Sequence, residues 1–331
     1  MLTQKRLWLA KDAKEYEQWR EFLKTGDLFP EDDATYTVGI YDGKKLIATG
    51  SLANNIIKYL LVCKSYQSEN LLTQIIVHLI DRLHEENIFH YFVYTKPDKE
   101  VIFRSLGFKK IISVKEVLFM EQGNPDFTDY LHEIGQFDRQ GQNGSIVMNA
   151  NPFTLGHKYL VEQARKVCDH VYVFVVSEEK SEFKSSERFA LVKAGLKEFE
   201  DVTVLPARDY MVSSLTFPAY FLKDRAQLNI ARVQAHLDAT LFKERIAPVL
   251  HIKKRFVGEE PYSKVTNIYN EAMKEVFDPE LSLTILPRLA IKGEIVSATK
   301  VRQALKEHNE SLVESFLPDN VFAYLKDKNK I

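Results

Sequence analysis

The stretch SIVMNANPFTLGHKYLVEQA, residues 145–164, sets the fold of the chain's larger part. A short apolar run, Ser145–Met148, gives way to a polar loop and then to a helical pattern from about His157 to Val167. Val171–Val176 (VYVFVV) follows as a continuous β-branched and aromatic run, as expected of a strand buried on both faces. A helix over Ser186–Phe199 and a strand over Val202–Leu205 continue the alternation. Strand, helix, strand, helix, strand is the pattern of a doubly wound parallel sheet, so this part is α/β.

Upstream the pattern differs. Thr35–Ile40 and Lys45–Ser51 have strand character and flank a turn at Tyr41-Asp42-Gly43-Lys44. Tyr59–Val62 is a third strand. Leu71, Leu72, Ile75, Ile76, Leu79, Ile80 and Leu83 recur at helical spacing. His90–Thr95, a short helix over Val101–Leu106 and strand over Phe108–Phe119 complete an α+β domain. Four of the 13 glycines (Gly123, Gly135, Gly141, Gly144) crowd one short acidic window, the look of a linker, although PDFTDYLHEIGQF within it fits a short helix. The expected organisation is an N-terminal domain over 1–122, a linker over 123–144 and a C-terminal domain over 145–331.

Composition narrows the function classes. The 331 residues carry 45 Lys+Arg against 46 Asp+Glu, net charge −1, which argues against a dedicated nucleic-acid binder. No apolar stretch approaches the ~20 residues that span a bilayer. The start, MLTQKRLWLAKDAKEYE, turns charged too soon for a signal peptide. Two cysteines, Cys63 and Cys168, are too few for a disulfide framework or a Cys-rich zinc site. His78, His84, His90 and His308 show no spacing that points to a metal. The expectation is a cytoplasmic protein with no dedicated metal site and neither nucleic acid nor membrane as partner.

The loop Asn149–Gly156 ends the first parallel strand, where open α/β sheets bind ligands. The helix that follows offers unpaired N–H groups and a partial positive charge, both suited to phosphate. Thr154 supplies a hydroxyl, Gly156 allows close approach, and His157 offers an imidazole that donates as charge builds at phosphorus. The plainer reading is a Thr154 helix cap with a solvated His157. Near the C-terminus, Val296-Ser297-Ala298-Thr299-Lys300-Val301-Arg302 also enters an amphipathic helix. Ser297 and Thr299 bring hydroxyls and Arg302 a guanidinium fork for phosphate oxygens. Alone, Ser-x-Thr before a helix is an ordinary cap; paired with the TxGH loop it is far more specific.

These two motifs resemble the HxGH-type nucleotidyltransferases. The longer stretches MNANPFTLGHKYLVEQA (148–164), VSSLTFPAYFLKD (212–224), LFKERIAPVL (241–250), RFVGEEPYSKVTNIYNEAM (255–273) and IVSATKVRQAL (295–305) narrow the resemblance to the citrate lyase ligases. The resemblance implies a Rossmann-like C-terminal nucleotidyltransferase domain behind an N-terminal acetyltransferase-like domain. It implies ATP and acetate as substrates, an enzyme-bound acetyl adenylate, and Mg2+ on the phosphates. The acetyl group then passes to the thiol of a CoA-derived prosthetic group on the acyl-carrier subunit of citrate lyase, which is the implied partner.

By the same resemblance His157, Thr154 and Arg302 are the catalytic candidates, with Thr154 and His157 at the α-phosphate. Asn149, Asn151, Phe153, Gly156, Arg188, Val257, Gly258, Glu260, Ser297 and Thr299 are the ATP-binding candidates. Thr216, in the aromatic segment TFPAYF, is a candidate at the acetate methyl; packing is the reading for Tyr220 and Phe221. Arg188 either reaches the triphosphate or is an exposed helix arginine, and Lys253-Lys254-Arg255 is most simply a solvated strand end. In the N-terminal domain, Gln67 fits an acetyl-CoA phosphate turn, but Glu69 and Asn70 depart from it. That domain is expected to keep the fold without acetyltransferase activity and to dock the carrier or its prosthetic group. Competing readings are a small-molecule adenylyltransferase, an acetate ligase acting on a tRNA base, and a non-catalytic nucleotide-binding scaffold.

Overall fold

The computed structural model describes residues 1–67, 69–177, 181–211, 217–222, 227–259, 264–328 and 330. Two units divide them: Met1–Tyr130 with Pro218–Val233, and Leu131–Phe217 with Gln234–Ile331.

Unit 1 is built on a seven-stranded sheet of β1 (Leu2–Leu7), β2 (Tyr36–Asp42), β3 (Lys45–Ala53), β4 (Ile56–Val62), β5 (His90–Thr95), β6 (Lys109–Ser113) and β7 (Leu118–Gly123). The order is β1-β2-β3-β4-β5-β7-β6. Neighbours run antiparallel except β4 and β5, which pair in parallel. Helix α1 (Ala13–Lys24) is capped by Asp12, whose carboxylate accepts from Lys14 N and Glu15 N. Helix α2 (Leu71–Glu85) buries Leu71, Ile75, Ile76, Leu79 and Leu83, the stripe its spacing predicts. Asn70 before it takes a left-handed φ of +54°, a conformation asparagine tolerates better than most residues. Helix α3 (Glu100–Ser105) precedes β6.

β4 and β5 pair only at Ile56↔Phe92 and Ile57↔Val93. Beyond those pairs, Tyr220 packs between Tyr59 and Tyr94. Its hydroxyl donates to the Tyr94 carbonyl at 3.1 Å, and its ring centroid lies 4.7 Å from that of Tyr59. The Tyr220 carbonyl accepts from Phe29 N at 3.0 Å, and Ala219 N donates to Glu31 Oε1 at 2.8 Å. Glu31 and Asp33 together neutralise Lys58, which is 2% exposed, with Nζ–O distances of 2.7 and 2.5 Å. Tyr220 and Phe221 are thus core residues; Thr216 lies outside the described residues.

The stretch expected to link the domains, 123–144, holds the end of β7, helix α4 (Phe127–Gly135) and the start of β8 (Asn143–Met148). Phe127, Tyr130 and Ile134 are buried, and Asp126 takes an ion pair from Lys109 at 2.6 Å. Glycines and acids dominate its composition, whereas three apolar residues at helical spacing decide its structure.

Unit 2 alternates β8, α5 (Leu155–Arg165), β9 (His170–Val175), α6 (Ser185–Leu196) and β10 (Val202–Pro206). After α7 (Gln227–Leu241) come β11 (Ile252–Gly258), α8 (Lys264–Phe277) and β12 (Ser282–Leu286). The five strands are all parallel, in the order β10-β9-β8-β11-β12. β9 is buried along its whole length, as its apolar run requires. A hairpin of β13 (Ala290–Ile291) and β14 (Glu294–Ile295) leads into α9 (Ala298–Lys306), α10 (Glu310–Phe316) and α11 (Asp319–Asp327).

A basic residue of β11 departs from expectation. Arg255 is buried, not a solvated strand end: it lies over the Phe242 ring at 4.5 Å, and burial lowers its pKa to about 10 against the pull of Asp238. Lys253 is exposed whereas Arg255 and Phe256, further along β11, are both buried, a difference that a count of neighbouring charges does not reveal.

The chain runs from β8 outward through β9 to β10, then returns to the other side of β8 with β11 and β12. The switch point between β8 and β11 opens a crevice at their carboxyl ends.

Candidate active site

A cleft of about 560 Å3 occupies that crevice, within the range of small-molecule sites. It is lined by Met148 at the end of β8, Gly258 at the end of β11 and Leu286 at the end of β12, with the first turns of α5 and α9. Asn149, Asn151, Thr154, Gly156, His157, Gly258, Ser297, Thr299 and Arg302 all line it. Phe153, Arg188 and Val257 do not, and Glu260 lies outside the described residues. A hollow of similar volume, about 580 Å3, lies on unit 1, but its charged residues are paired, Arg104 and Lys110 with Glu100 and Lys109 with Asp126.

Thr154 is the N-cap of α5 and is buried. Its backbone N–H donates to His157 Nδ1 at 3.0 Å, and its Oγ1 lies 2.9 Å from the same nitrogen. The imidazole thus takes the place that Glu or Gln holds in a capping box. A backbone N–H can only donate, so Nδ1 is the acceptor and the neutral ring carries its proton on Nε2. The Thr154 hydroxyl, expected on phosphate, is engaged with the imidazole. Phe153, fully buried, stacks beneath His157 with centroids 5.6 Å apart and planes at 22°. Phe153 packs on α6 so closely that a Cβ at Gly195 would lie 2.4 Å from its ring. At Gly156 a Cβ would meet Thr154 Oγ1 at an ordinary 3.5 Å. Packing therefore leaves room for a side chain there, and what glycine adds is close approach from the cleft.

Burial, with the nearby positive charge of Arg288 adding to it, pushes the His157 pKa down to about 4 from an ordinary 6.5. The imidazole is then a neutral Nε2–H donor at physiological pH. ¹⁵N spectra should show this tautomer persisting from neutral pH down to about 4. Between pH 6.5 and 4 the unfolded chain binds a proton that the folded chain refuses. The contribution of this group therefore makes the urea midpoint fall as pH is lowered through that window, and levels off below it.

Arg302 ties the two helix tips together. Its Nη1 donates to the Asn151 carbonyl at 2.7 Å and its Nη2 to Thr299 Oγ1 at 3.1 Å. Nε faces Glu182 at 3.7 Å, a carboxylate that also lies 3.4 Å from Lys306. Ser297 caps α9 by accepting from Lys300 N at 3.3 Å. The side chains of Asn149 and Asn151 hold the segment after β9: Asn149 Nδ2 donates to Ser181 Oγ at 3.4 Å and Phe183 N to Asn151 Oδ1 at 3.1 Å.

Arg188 is neither an exposed helix arginine nor part of the cleft wall; it is 0% exposed. Its Nη1 donates to the carbonyls of Asn149 (2.7 Å) and Val176 (2.8 Å) and to Asn149 Oδ1, and its Nε to the Phe183 carbonyl (3.2 Å). It braces the loop from behind at Ala150, whose φ of +48° is costly for a residue with a Cβ.

The sequence reading missed Arg288 and Met148, both on the cleft wall. Arg288 follows β12, and its Nε donates to the Glu259 carbonyl at 2.9 Å. An arginine just past the carboxyl end of a parallel strand is the available signal, but β12 is only five residues long, Ser282–Leu286, and no more than half-buried, so it does not stand out in the sequence.

Residues 143–325 match the family described as Citrate lyase ligase C-terminal domain. The chain is 34% identical to the [Citrate [pro-3S]-lyase] ligase of Klebsiella pneumoniae, covering 98% of this chain and 96% of that protein. It is 33% identical to the protein of the same name from Escherichia coli (strain K12), covering 96% and 92%. Among solved structures, an acyl-CoA N-acyltransferase from Pseudomonas aeruginosa aligns over 37% of this chain and all of its own, at 11% identity and a TM-score of 0.33.

Proposed function

The chain belongs to the citrate lyase ligase family, and from that premise we propose how its cleft carries out the ligase reaction. Acetate and ATP are converted to acetyl adenylate and pyrophosphate. The acetyl group then passes to the thiol of the CoA-derived prosthetic group on the acyl-carrier subunit of citrate lyase, and AMP leaves. In the first step an acetate oxygen attacks the α-phosphorus as the bond to the β-phosphate oxygen breaks, an in-line displacement governed by position and charge. His157 Nε2–H donates to an α-phosphate oxygen, with its ring fixed by Thr154 and Phe153. The N-terminus of α9, Ser297 and Thr299 receive the β- and γ-phosphates, and Arg302 holds that helix against the loop carrying Asn151. In the second step the sulfur attacks the acyl carbon, the bond to the AMP oxygen breaks, and the thiol proton goes to solvent.

Among the described residues no group of three or more His, Cys, Asp or Glu is placed to hold a metal. Hydroxyls at the α9 tip fit a hard cation carried in on the phosphates, where Mg2+ would neutralise charge on the leaving group. Among the described residues no helix is long and apolar enough to cross a membrane. The reading places the enzyme in the cytoplasm, with its ATP and its carrier protein.

The observation that carries the reading is the shared cleft, in which His157 and the Ser297–Arg302 helix tip line one space at the switch point. Exchange of labelled pyrophosphate into ATP tests it. Exchange that requires acetate and no phosphorylated acceptor supports the acyl adenylate. Exchange that appears only with a phosphorylated acceptor makes the protein an adenylyltransferase instead.

A further inference from the structure

Arg288 belongs to none of the motifs read above, yet it stands where the cleft meets a second hollow. That hollow, about 400 Å3, is lined by Arg288, Gly293, Glu294, Ile295, Ser297 and Lys300, and it shares Arg288 and Ser297 with the cleft. We propose that Arg288 is a catalytic cation of the adenylation step, whose guanidinium takes the pyrophosphate as it departs, and that the hollow beside it is the product's way out. The proposal rests on the reading of the cleft as an adenylating site.

Three features carry it. First, Arg288 stands with Ser297 where the cleft and the hollow meet, beside the α9 tip that receives the β- and γ-phosphates, and a leaving group that gathers negative charge as the bond breaks needs a cation there. Second, Arg288 is set in advance: Nε is anchored on the Glu259 carbonyl, and Val296 N donates to the Leu289 carbonyl at 2.9 Å, closing the base of the β13–β14 hairpin. A donor held before the reaction stabilises developing charge without reorganising. Third, the hollow adjoins the Ser297 end of the cleft and carries the exposed Lys300, which faces Glu294 at 3.4 Å. In an in-line displacement the leaving group departs on the side opposite the attacking acetate, toward the end that holds the β- and γ-phosphates.

The test uses the full chain, with calorimetric titration of inorganic pyrophosphate alongside acetate-dependent exchange. Arg288→Gln is expected to weaken pyrophosphate binding at least tenfold and to slow exchange about a hundredfold, leaving the KM for acetate unchanged. Arg288→Lys should recover part of both. Lys300→Met, an exposed position, should weaken pyrophosphate binding severalfold without altering the melting temperature. Pyrophosphate affinity within twofold of wild type in both Arg288→Gln and Lys300→Met would overturn the proposal. A wild-type chain that binds pyrophosphate but shows no acetate-dependent exchange would sink the adenylation reading instead, and leave the cation site standing.

Discussion

His157→Ala slows acetate-dependent exchange by about 10²–10³-fold, the usual cost of one lost donor to developing negative charge, and leaves the chain folded. The loss falls on kcat more than on the KM for ATP, because the Nε2–H bond strengthens as charge moves onto the α-phosphate oxygens. The folding cost is that of a helix cap, about 1 kcal/mol, since the Thr154 N–H loses Nδ1 as its acceptor. His157→Gln separates the two roles. A glutamine at this third helical position can accept from the Thr154 N–H, as in an ordinary capping box. Stability should return with it while the rate stays low. A rate within tenfold of wild type in His157→Ala, measured by pyrophosphate exchange, contradicts the assigned role.

Arg188→Met removes no group from the cleft wall, yet it is expected to be the most damaging single substitution in unit 2. It strands the carbonyls of Asn149, Val176 and Phe183 and the Asn149 Oδ1 without their donor. Each buried acceptor left unpaired costs about 1–3 kcal/mol. Partial relaxation and entering water reduce the sum, so a net loss of roughly 3–5 kcal/mol is expected, the range for breaking a buried charged network. Against a total stability of about 5–15 kcal/mol, the melting temperature should drop by roughly 10 °C or more. Arg188→Lys should rescue little, because one ammonium on a flexible stem cannot reproduce a planar fork serving acceptors on Asn149, Val176 and Phe183 at once. Calorimetry of the variants decides: a melting temperature within 2–3 °C of wild type, about 1 kcal/mol, means the loop is held by something else.

The two cases divide what the sequence made legible from what it hid. The parallel sheet was legible because VYVFVV has no polar residue to alternate, and a strand buried on both faces needs none. The two helix tips were legible because a cap, a glycine and a positioned donor before an amphipathic run form a local pattern. The brace formed by Arg188 was not legible, since its partners lie 5, 12 and 39 residues away and only the fold brings them together. Arg288 was hidden for the same reason, its role depending on β12 lying beside β11. Tyr220 reads as an aromatic in a loop until β4 and β5 are seen to part beside it. Sequence displays contacts made within a turn or two; contacts made across strands wait for topology.

The account depends on the tips of α5 and α9 serving a single nucleotide. Amide hydrogen exchange of the full chain, titrated with a non-hydrolysable ATP analogue, measures this directly. The unpaired N–H groups at Leu155 and Gly156 and at Ala298 and Thr299 should slow together, with the same half-saturating analogue concentration at both tips. Protection confined to one tip, or reached at clearly different concentrations, would contradict it.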